Sequence, residues 1–238
     1  MIPFEEFLAD ARKHKKLKDR PHITISYAQS LDGCIALERK NPLKLSSKES
    51  RIFSHQLRNK HDAILVGIGT ILTDDPQLNV RLVKGADPQP VILDSSLRLP
   101  LDAQLLKNKR KPWIFTTDRT DQGRKEKLEA KGAHILRTRL NEQKMVDIHY
   151  VTRELYNLGI TNILVEGGAR IITSFVQARL VDIFVIFMTP LMVGGLHAIG
   201  CPVLLDSKGK TDIQKFPKIN IAGHEFCGKD IVIWGTFL

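Results

Sequence analysis

Two short glycine-containing stretches have the residue types and spacing best suited to bind a phosphorylated ligand. Residues 67–76 read Gly-Ile-Gly-Thr-Ile-Leu-Thr-Asp-Asp-Pro and follow an apolar run, and residues 167–170 read Gly-Gly-Ala-Arg after the apolar run 162–166. Glycines let the backbone approach a ligand closely, and the free N–H groups at a helix start attract phosphate. The first stretch alone is equally typical of a structural junction. Two such junctions in one chain favour a ligand cleft.

The side chains at these junctions are candidate ligand contacts. Thr70 and Asp74 are four residues apart and therefore share one face of a helical turn. Glu166 ends the strand before the second stretch, where its carboxylate would either face a cleft or balance the dipole of the following helix. Leu72 stands at the position of the third glycine, which argues against the standard dinucleotide-binding fingerprint.

Three further features lie near the ends of predicted strands. Residues 30–33 read Ser-Leu-Asp-Gly, which is either a plain turn or a ligand contact beyond the end of the first strand. Residues 190–195 read Pro-Leu-Met-Val-Gly-Gly and would form a flexible turn, close over a cofactor or build an interface. Arg58 and Arg81 suit bidentate phosphate binding, although each alone is more typical of a solvated surface.

Composition narrows the functional classes. The 238 residues are 42% apolar, and no apolar run approaches the length of a membrane span. The N-terminal residues do not read as a signal peptide, so we expect a cytoplasmic protein with Cys34, Cys201 and Cys227 reduced and no metal. No Gly-x-Ser-x-Gly elbow or P-loop is present. The net charge of +10 suits a phosphorylated cofactor and an anionic substrate, and it leaves nucleic-acid binding as a weaker alternative.

The pattern along the chain predicts the elements that must position these residues. Seven short runs rich in Ile, Val and Leu are typical of strands buried on both faces. They are His22–Ala28, Asp62–Val66, Pro90–Asp94, Pro112–Thr116, Ala133–Leu136, Asn162–Glu166 and Asp182–Met188. Helices are predicted over about 46–60, 122–131 and 145–158, after Gly168, and briefly after Gly67. This alternation predicts an α/β fold with a mostly parallel central sheet and flanking helices.

The two ends of the chain differ from this pattern. Residues 218–225 and 230–238 predict a C-terminal antiparallel hairpin. Residues 2–19 predict a polar helix, so we divide the chain into an N-terminal helical arm at 1–20 and a single domain at 21–238. The arm could pack on the body of the protein or on a partner subunit.

Taken in order, five of these stretches resemble one family, the pyrimidine reductases of riboflavin biosynthesis. The stretches are 30–33, 63–76, 91–95, 164–168 and 190–195, and the resemblance covers about residues 22–237. It implies a dihydrofolate-reductase-like fold. It also implies hydride transfer from NADPH to C1′ of a phosphoribosylamino-pyrimidine, so that the ribosyl group becomes a ribityl chain.

The resemblance also implies residue roles. Cofactor contacts would come from Thr70, Asp74 and Ser95 and from the turn and helix start at 167–174. Within that segment the expected contacts are Gly167, Gly168, Ala169, Arg170 and Ile171. Substrate contacts would come from Arg58, Leu78, Arg81 and Glu166. An arginine pair would hold the 5′-phosphate. We expect Glu166, with Asp32 as second choice, to handle a proton or orient the substrate. The C-terminal hairpin and the strand Asp182–Met188 predict a homodimer paired through the sheet, because exposed strand edges tend to be paired or covered.

Departures from the family pattern leave other functions open. Cys34 stands where relatives often carry a basic residue, and the stretch 40–45 lacks the usual polar-aromatic signature. A reductase of another pterin or pyrimidine is one alternative, and a non-enzymatic cofactor or nucleic-acid binding protein is another. No His-Ala-Glu with a partnering cysteine pair is present, so we expect a reductase without a deaminase half. The choice between a deaminated and a diamino substrate stays open. The choice between NADPH and NADH also stays open, although Arg170 and the basic composition favour NADPH.

Overall fold

A computed structural model describes residues 3–14, 19–38, 41–118, 120–141, 144–200 and 216–238. The strands are β1 (His22–Ser30), β2 (Cys34–Glu38), β3 (Asn41–Pro42), β4 (Ala63–Gly67), β5 (Gln89–Leu93), β6 (Trp113–Thr116), β7 (His134–Arg137), β8 (Asn162–Glu166), β9 (Ile183–Thr189), β10 (Leu196–His197), β11 (Ile219–Cys227) and β12 (Asp230–Phe237). The helices are α1 (Phe4–His14), α2 (Lys48–Asn59), α3 (Ile68–Asp74), α4 (Gln122–Ala130), α5 (Ile148–Asn157) and α6 (Ala169–Gln177), and Gln104–Lys107 form a 3-10 helix.

The central sheet is mostly parallel. Among the described residues its nine strands follow the order β11-β12-β9-β1-β8-β4-β5-β6-β7. Neighbours from β9 to β7 pair in parallel, whereas β12 runs antiparallel to both β9 and β11. The predicted α/β architecture and C-terminal hairpin are therefore confirmed. Because the seven parallel strands point the same way, their carboxyl ends meet along one edge.

The apolar runs explain why the sheet is buried on both faces. All five residues of β4 and all five of β5 are buried, as expected for strands covered on both sides. Val151 and Leu155 of α5 pack with Ile172 and Phe175 of α6 against one face. Helices α1 and α2 cover the β9–β12 end of the other face, and α3 and α4 cover its β4–β6 end.

Helix α1 packs on the body of the same chain rather than standing free. Phe4, Phe7 and Leu8 are buried in a cluster with Phe53 of α2 and Trp234 of β12. Residues 15–18 of the predicted helix lie outside the described residues, as does Cys201. The division into an arm and a single domain remains a prediction.

The sequence pattern missed a small antiparallel sheet. Strands β10, β2 and β3 pair in that order, with Leu196 opposite Ala36 and His197 opposite Cys34. Two of these strands have only two residues each, which is too short for a periodic signal. Their pairing joins the chain that follows β1 to the chain that follows β9.

Candidate active site and cofactor cleft

A cleft of about 1480 Å³ lies beyond the carboxyl ends of the parallel strands. Ligands of open α/β sheets bind in this position, because helix starts and loops converge there. Twelve of the thirteen predicted site residues line this one cleft. They are Arg58, Thr70, Asp74, Leu78, Arg81, Ser95, Glu166, Gly167, Gly168, Ala169, Arg170 and Ile171.

The two glycine junctions meet at Ile171 on α6. A Cβ atom on Gly67 would lie 2.7 Å from Ile171 Cγ1, and one on Gly167 would lie 3.1 Å from Ile171 Cβ. Both positions therefore favour glycine, because the side chain of Ile171 occupies the space beside each backbone. This contact joins the end of β4 to the end of β8 and makes one cleft from two junctions.

The start of α6 has the properties of an anion site. Gly168 is the N-cap residue and contributes no side-chain hydrogen bond, so the first N–H groups of the helix are not capped by it. A Cβ atom at Gly168 would meet nothing within 4 Å, which leaves room beside the backbone. These features fit the diphosphate of a dinucleotide.

Polar side chains from two other strand ends, those of β4 and β5, also line the cleft. Thr70 and Asp74 lie on α3, and burial raises the pKa of the Asp74 carboxyl. Ser95 follows β5, and its hydroxyl accepts a hydrogen bond from the Val146 N–H at 3.2 Å. Ser95 therefore ties the segment before α5 to the rim of the cleft.

A second part of the cleft lining, the Arg58 half, is built around an ion pair between Arg58 and Glu166. Arg58 Nε donates to Glu166 Oε1 at 2.9 Å, and Arg58 Nη2 donates to Oε2 at 2.7 Å. The two side chains are only 13% and 19% exposed. Arg58 comes from the last turn of α2 and Glu166 from the end of β8, so the pair joins a helix to the sheet.

A loop at residues 79–81 closes this half of the cleft. It follows the end of α3, where Asp75 and Leu78 both have positive φ, at 39° and 53°. Arg58 Nη1 donates to the Asn79 carbonyl at 3.1 Å. The exposed Arg81 side chain lines the cleft, and its Nη1 donates to Asn79 Oδ1 at 3.0 Å.

Asp32 lies in a different environment from the other predicted residues, because it does not line the cleft. Its carboxylate accepts hydrogen bonds from the Ser30 hydroxyl at 2.5 Å and from the N–H groups of Val193 at 3.0 Å and Gly194 at 2.6 Å. These bonds hold the pKa of Asp32 well below its ordinary value. The Asp32 carboxylate thus fastens the 190–195 stretch to the end of β1.

Cys34 also binds the 190–195 stretch. Its side chain is fully buried, and its Sγ accepts the Gly195 N–H at 3.1 Å. The departure from the family pattern at this position therefore does not fall on a residue that lines the cleft. Leu43 and Lys44, from the other departing stretch, do line the cleft.

Sequence reasoning missed several cleft residues. Ser26 pairs in register with Glu166 across β1 and β8, and His55 lies one turn before Arg58 on α2. Arg51 and Arg98 add positive charge to the lining. The spacing of His55 to Arg58 could have revealed the histidine, because residues three apart on a capped helix share a face.

Comparison with known proteins identifies the family. The chain matches the model of the RibD C-terminal domain over residues 21–233. The chain belongs to the RibD C-terminal domain family. The predicted resemblance to riboflavin-pathway reductases is therefore confirmed.

Two curated relatives are similar over most of their own length. The first is a protein of Aquifex aeolicus named 2,5-diamino-6-ribosylamino-4(3H)-pyrimidinone 5′-phosphate reductase, with 34% identity over 90% of this chain and 95% of the relative. The second is a protein of the same name from Debaryomyces hansenii, with 35% identity over 81% of this chain and 82% of the relative. By contrast, the chain spans 58% of the A. aeolicus riboflavin biosynthesis protein RibD, at 35% identity.

Solved structures share the fold. RibD of Acinetobacter baumannii superposes with a TM-score of 0.78 at 22% identity, over 93% of this chain and 59% of that chain. The riboflavin biosynthesis reductase Rib7 of Saccharomyces cerevisiae gives a TM-score of 0.68 at 24% identity, over 98% of both chains. The expected α/β fold, with a mostly parallel central sheet and a C-terminal antiparallel hairpin, is confirmed and is shared with these structures. Within the described ranges, no helix has the length and apolar character needed to cross a membrane.

Proposed function

We propose that this protein is the NADPH-dependent reductase that converts the ribosyl group of a 5-phosphoribosylamino-pyrimidine into a ribityl chain in riboflavin biosynthesis. The observation that carries the proposal is that one cleft is lined both by the start of α6 and by the Arg58–Glu166 pair. The names of the A. aeolicus and D. hansenii relatives support a diamino-pyrimidinone phosphate as the substrate.

The cofactor half of the cleft is suited to binding and orientation. The uncapped N–H groups at the α6 start would hold the diphosphate, and Thr70, Asp74 and Ser95 would position the rest of the cofactor. A bound nicotinamide supplies the hydride, so the protein contributes placement and electrostatics. Ile171, which lies against both Gly67 and Gly167, fixes the distance between the two walls.

The substrate half of the cleft is suited to a polar sugar phosphate. The Glu166 carboxylate is held by Arg58 and lines the cleft, where it can accept hydrogen bonds from sugar hydroxyl groups. Opening of the sugar ring requires a proton at the ring oxygen, and Glu166 is the group that we assign to orient or relay that proton. Asp32, the second choice from the sequence, takes a positioning role through its bonds to the 190–195 stretch.

Basic residues that line the cleft support a preference for NADPH over NADH. Arg170 and Arg98 both line the cleft, and a guanidinium binds a phosphate monoester well. We expect Arg170→Ala to raise the KM for NADPH by about tenfold and to leave the KM for NADH nearly unchanged, since one charge-assisted contact is lost. Arg98→Ala tests the second guanidinium by the same two KM measurements. Equal effects on both cofactors in both variants would contradict the assignment.

A direct assay tests the function. The purified protein is mixed with NADPH and either the diamino or the deaminated phosphoribosylamino-pyrimidine, and the loss of NADPH absorbance is followed. Turnover of at least one substrate, with formation of the ribityl product, is the expected result. If NADPH binds and neither substrate is turned over, the proposal is wrong, and reduction of another pterin or pyrimidine becomes the better hypothesis.

The same proposal includes a cytoplasmic homodimer. Among the described residues, β11 and β7 are the two edge strands of the central sheet, and β11 exposes Ile219, Ile221 and Phe226. Edge strands with exposed apolar side chains are usually covered by another chain or element. A second copy of the protein is the partner that we assign to this edge.

A further inference from the structure

The loop at 79–81 is held against α2 by two hydrogen bonds to its backbone. The Arg81 N–H donates to His55 Nδ1 at 3.1 Å, and Arg58 Nη1 donates to the Asn79 carbonyl at 3.1 Å. His55 and Arg58 are three residues apart on α2, so their side chains leave the same face of the helix. One face of one helix therefore fixes both ends of the loop.

The two arginines at this loop are not equivalent. The Arg58 guanidinium is committed to Glu166 and to the Asn79 carbonyl, and its side chain is only 13% exposed. The Arg81 residue is exposed, lines the cleft and donates to the Asn79 side chain. Arg81 is therefore the better placed of the two to meet an anionic group of a ligand.

We propose that His55 is a positioning residue for Arg81: its ring nitrogen fixes the backbone from which the Arg81 guanidinium reaches the substrate phosphate. This inference rests on the proposed function, because it requires a phosphorylated substrate in the cleft. It also divides the arginine pair expected from the sequence. Arg81 binds the phosphate, whereas Arg58 orients Glu166.

The electrostatic surroundings of His55 support an acceptor at Nδ1. Burial, followed by the positive charges of Arg58 and Arg81, lowers the pKa of His55 to about 4, and Glu166 opposes the shift. The ring is therefore neutral at neutral pH, with its proton on Nε2 and a lone pair on Nδ1. A protonated ring would donate from both nitrogens and could not accept the Arg81 N–H.

The test compares two substitutions that differ only in whether they restore the acceptor. His55→Leu removes it, whereas His55→Asn places a carbonyl oxygen near the former Nδ1 position. Each variant is assayed with the phosphorylated substrate and with the same compound lacking the 5′-phosphate. Arg81→Ala and the His55→Leu/Arg81→Ala double variant complete the cycle. NADPH affinity and Tm report whether each variant is folded, and His55→Met replaces the leucine variant if that variant does not fold.

We expect His55→Leu to raise the KM for the phosphorylated substrate about tenfold, with kcat changed less than about twofold, because one backbone N–H loses its acceptor. We expect His55→Asn to recover most of this loss. The compound without phosphate should show no change. His55→Leu should add little in the Arg81→Ala background. The inference would be overturned if His55→Leu raised the KM equally for both compounds. It would also be overturned if the effects of His55→Leu and Arg81→Ala on KM were additive, or if His55→Asn did not restore the KM.

Direct binding of ribose 5-phosphate separates failure of the inference from failure of the proposed function. Calorimetric titration of wild type, Arg81→Ala and His55→Leu requires no turnover. Weaker binding in both variants supports the positioning role even if the reductase assay fails. Wild-type affinity in His55→Leu, or binding that does not depend on Arg81, overturns it even if the wild-type enzyme is active.

Discussion

The Arg58–Glu166 pair combines a structural with a chemical function. Both side chains are mostly shielded from water, so each charge depends on the other for compensation. The bidentate geometry also leaves Glu166 in one orientation, since both of its oxygens accept from the same guanidinium. A substrate hydroxyl would therefore meet a carboxylate that is already aligned.

Glu166→Gln should weaken both stability and activity. The substitution keeps the shape of the side chain but leaves the Arg58 charge without its partner. We expect the free energy of unfolding to fall by about 3 kcal/mol, as when one member of a buried ion pair is removed, and kcat/KM to fall at least about tenfold. Urea denaturation and steady-state kinetics measure the two effects. Glu126→Gln, on the exposed side of α4, is the control and should change neither. Wild-type values for Glu166→Gln would refute this role.

His55 should leave a signature in the pH dependence of stability. Its pKa falls from 6.5 to about 4 on folding, because of burial and the charges of Arg58 and Arg81, partly offset by Glu166. Between these values the unfolded chain holds a proton that the native protein does not. The contribution to stability is therefore complete above about pH 6.5, declines as the pH falls and levels off below about pH 4.

The measurement is Tm as a function of pH for wild type and His55→Asn. Wild type should lose Tm between about pH 6.5 and pH 4, and the variant should show a shallower decline over the same interval. The comparison of slopes cancels the contributions of the carboxylates. Burial raises the pKa values of Asp74 and Asp94 above the ordinary value, whereas those of Asp182 and Asp230 are lowered and act at more acidic pH. Parallel curves would contradict a neutral, buried His55.

Sequence reasoning identified candidate side chains but not how they pair. Arg58, Arg81 and Glu166 were each predicted as substrate contacts, and the structure brings all three to one half of the cleft. Their separate roles depend on contacts such as the hydrogen bond between Arg58 and Glu166, which are 108 residues apart in sequence. No local pattern encodes such a contact. The role of Asp32 is not encoded locally either, since the N–H groups of Val193 and Gly194 that bind it belong to the distant loop after β9.

At the scale of elements, α2 is the part of the fold on which the substrate half depends. Its N-terminus is attached to the C-terminal hairpin through Asp230, whose Oδ2 accepts the Ser47 N–H at 2.7 Å and the Ser50 hydroxyl at 2.6 Å. Ser47 also caps the helix by accepting the Ser50 N–H at 3.1 Å. The orientation of His55 and Arg58 is therefore linked to a turn at the far end of the chain.

Asp230→Ala should loosen this attachment. The Ser47 N–H and the Ser50 hydroxyl would lose a buried acceptor, so we expect a loss of about 1–3 kcal/mol in the free energy of unfolding. Asp230→Asn retains one acceptor oxygen and should cost less. Burial opposes ionisation of Asp230, but the hydrogen bonds from Ser50 and Ser47 outweigh it and keep its pKa below the ordinary value. The difference between wild type and the alanine variant should therefore shrink as the pH falls below about 3.8. A constant difference would argue against this ionised contact.

The elements that sequence reasoning placed correctly are those with a long apolar pattern. The strand predicted at Asn162–Glu166 matches β8 exactly in its bounds, and the other six predicted strands differ from those observed by at most two residues at either end. The small sheet was missed because β3 and β10 have two residues each and pair with β2 through contacts that are distant in sequence. Tertiary pairing, rather than local propensity, creates such strands.

At the scale of the whole molecule, β11 is one of the two edge strands of the central sheet in the described part of the chain. Six of its nine residues are exposed, including Ile219, Ile221 and Phe226, which are 47%, 58% and 78% exposed. The unpaired backbone groups of an edge strand can hydrogen-bond to another strand. These features support the proposed homodimer through the C-terminal hairpin. The strand Asp182–Met188, the other edge expected from the sequence, is wrong as an interface because β9 is paired on both sides, with β1 and with β12.

Ile221→Lys should separate the subunits without unfolding them, since the side chain is already exposed and β11 remains paired with β12. Analytical ultracentrifugation should give a dimer for wild type and a monomer for the variant, because a charge on an apolar edge opposes association. Tyr156→Lys on α5, at an exposed position of the same general kind, should remain dimeric. A monomeric wild type, or a dimer unaffected by Ile221→Lys, would exclude this edge as the interface.

The position of β1 in the sheet has a consequence for synthesis of the chain. Strand β1 lies between β8 and β9, so His22 pairs with Asn162 and Thr24 pairs with Ile183. At about 5–20 residues per second, a ribosome needs on the order of ten seconds to make these neighbours after β1 has been translated. During that interval β1 has an unpaired edge on both sides, which makes it a natural target for chaperones. Fragments that end before residue 162 should therefore aggregate rather than fold into partial enzymes.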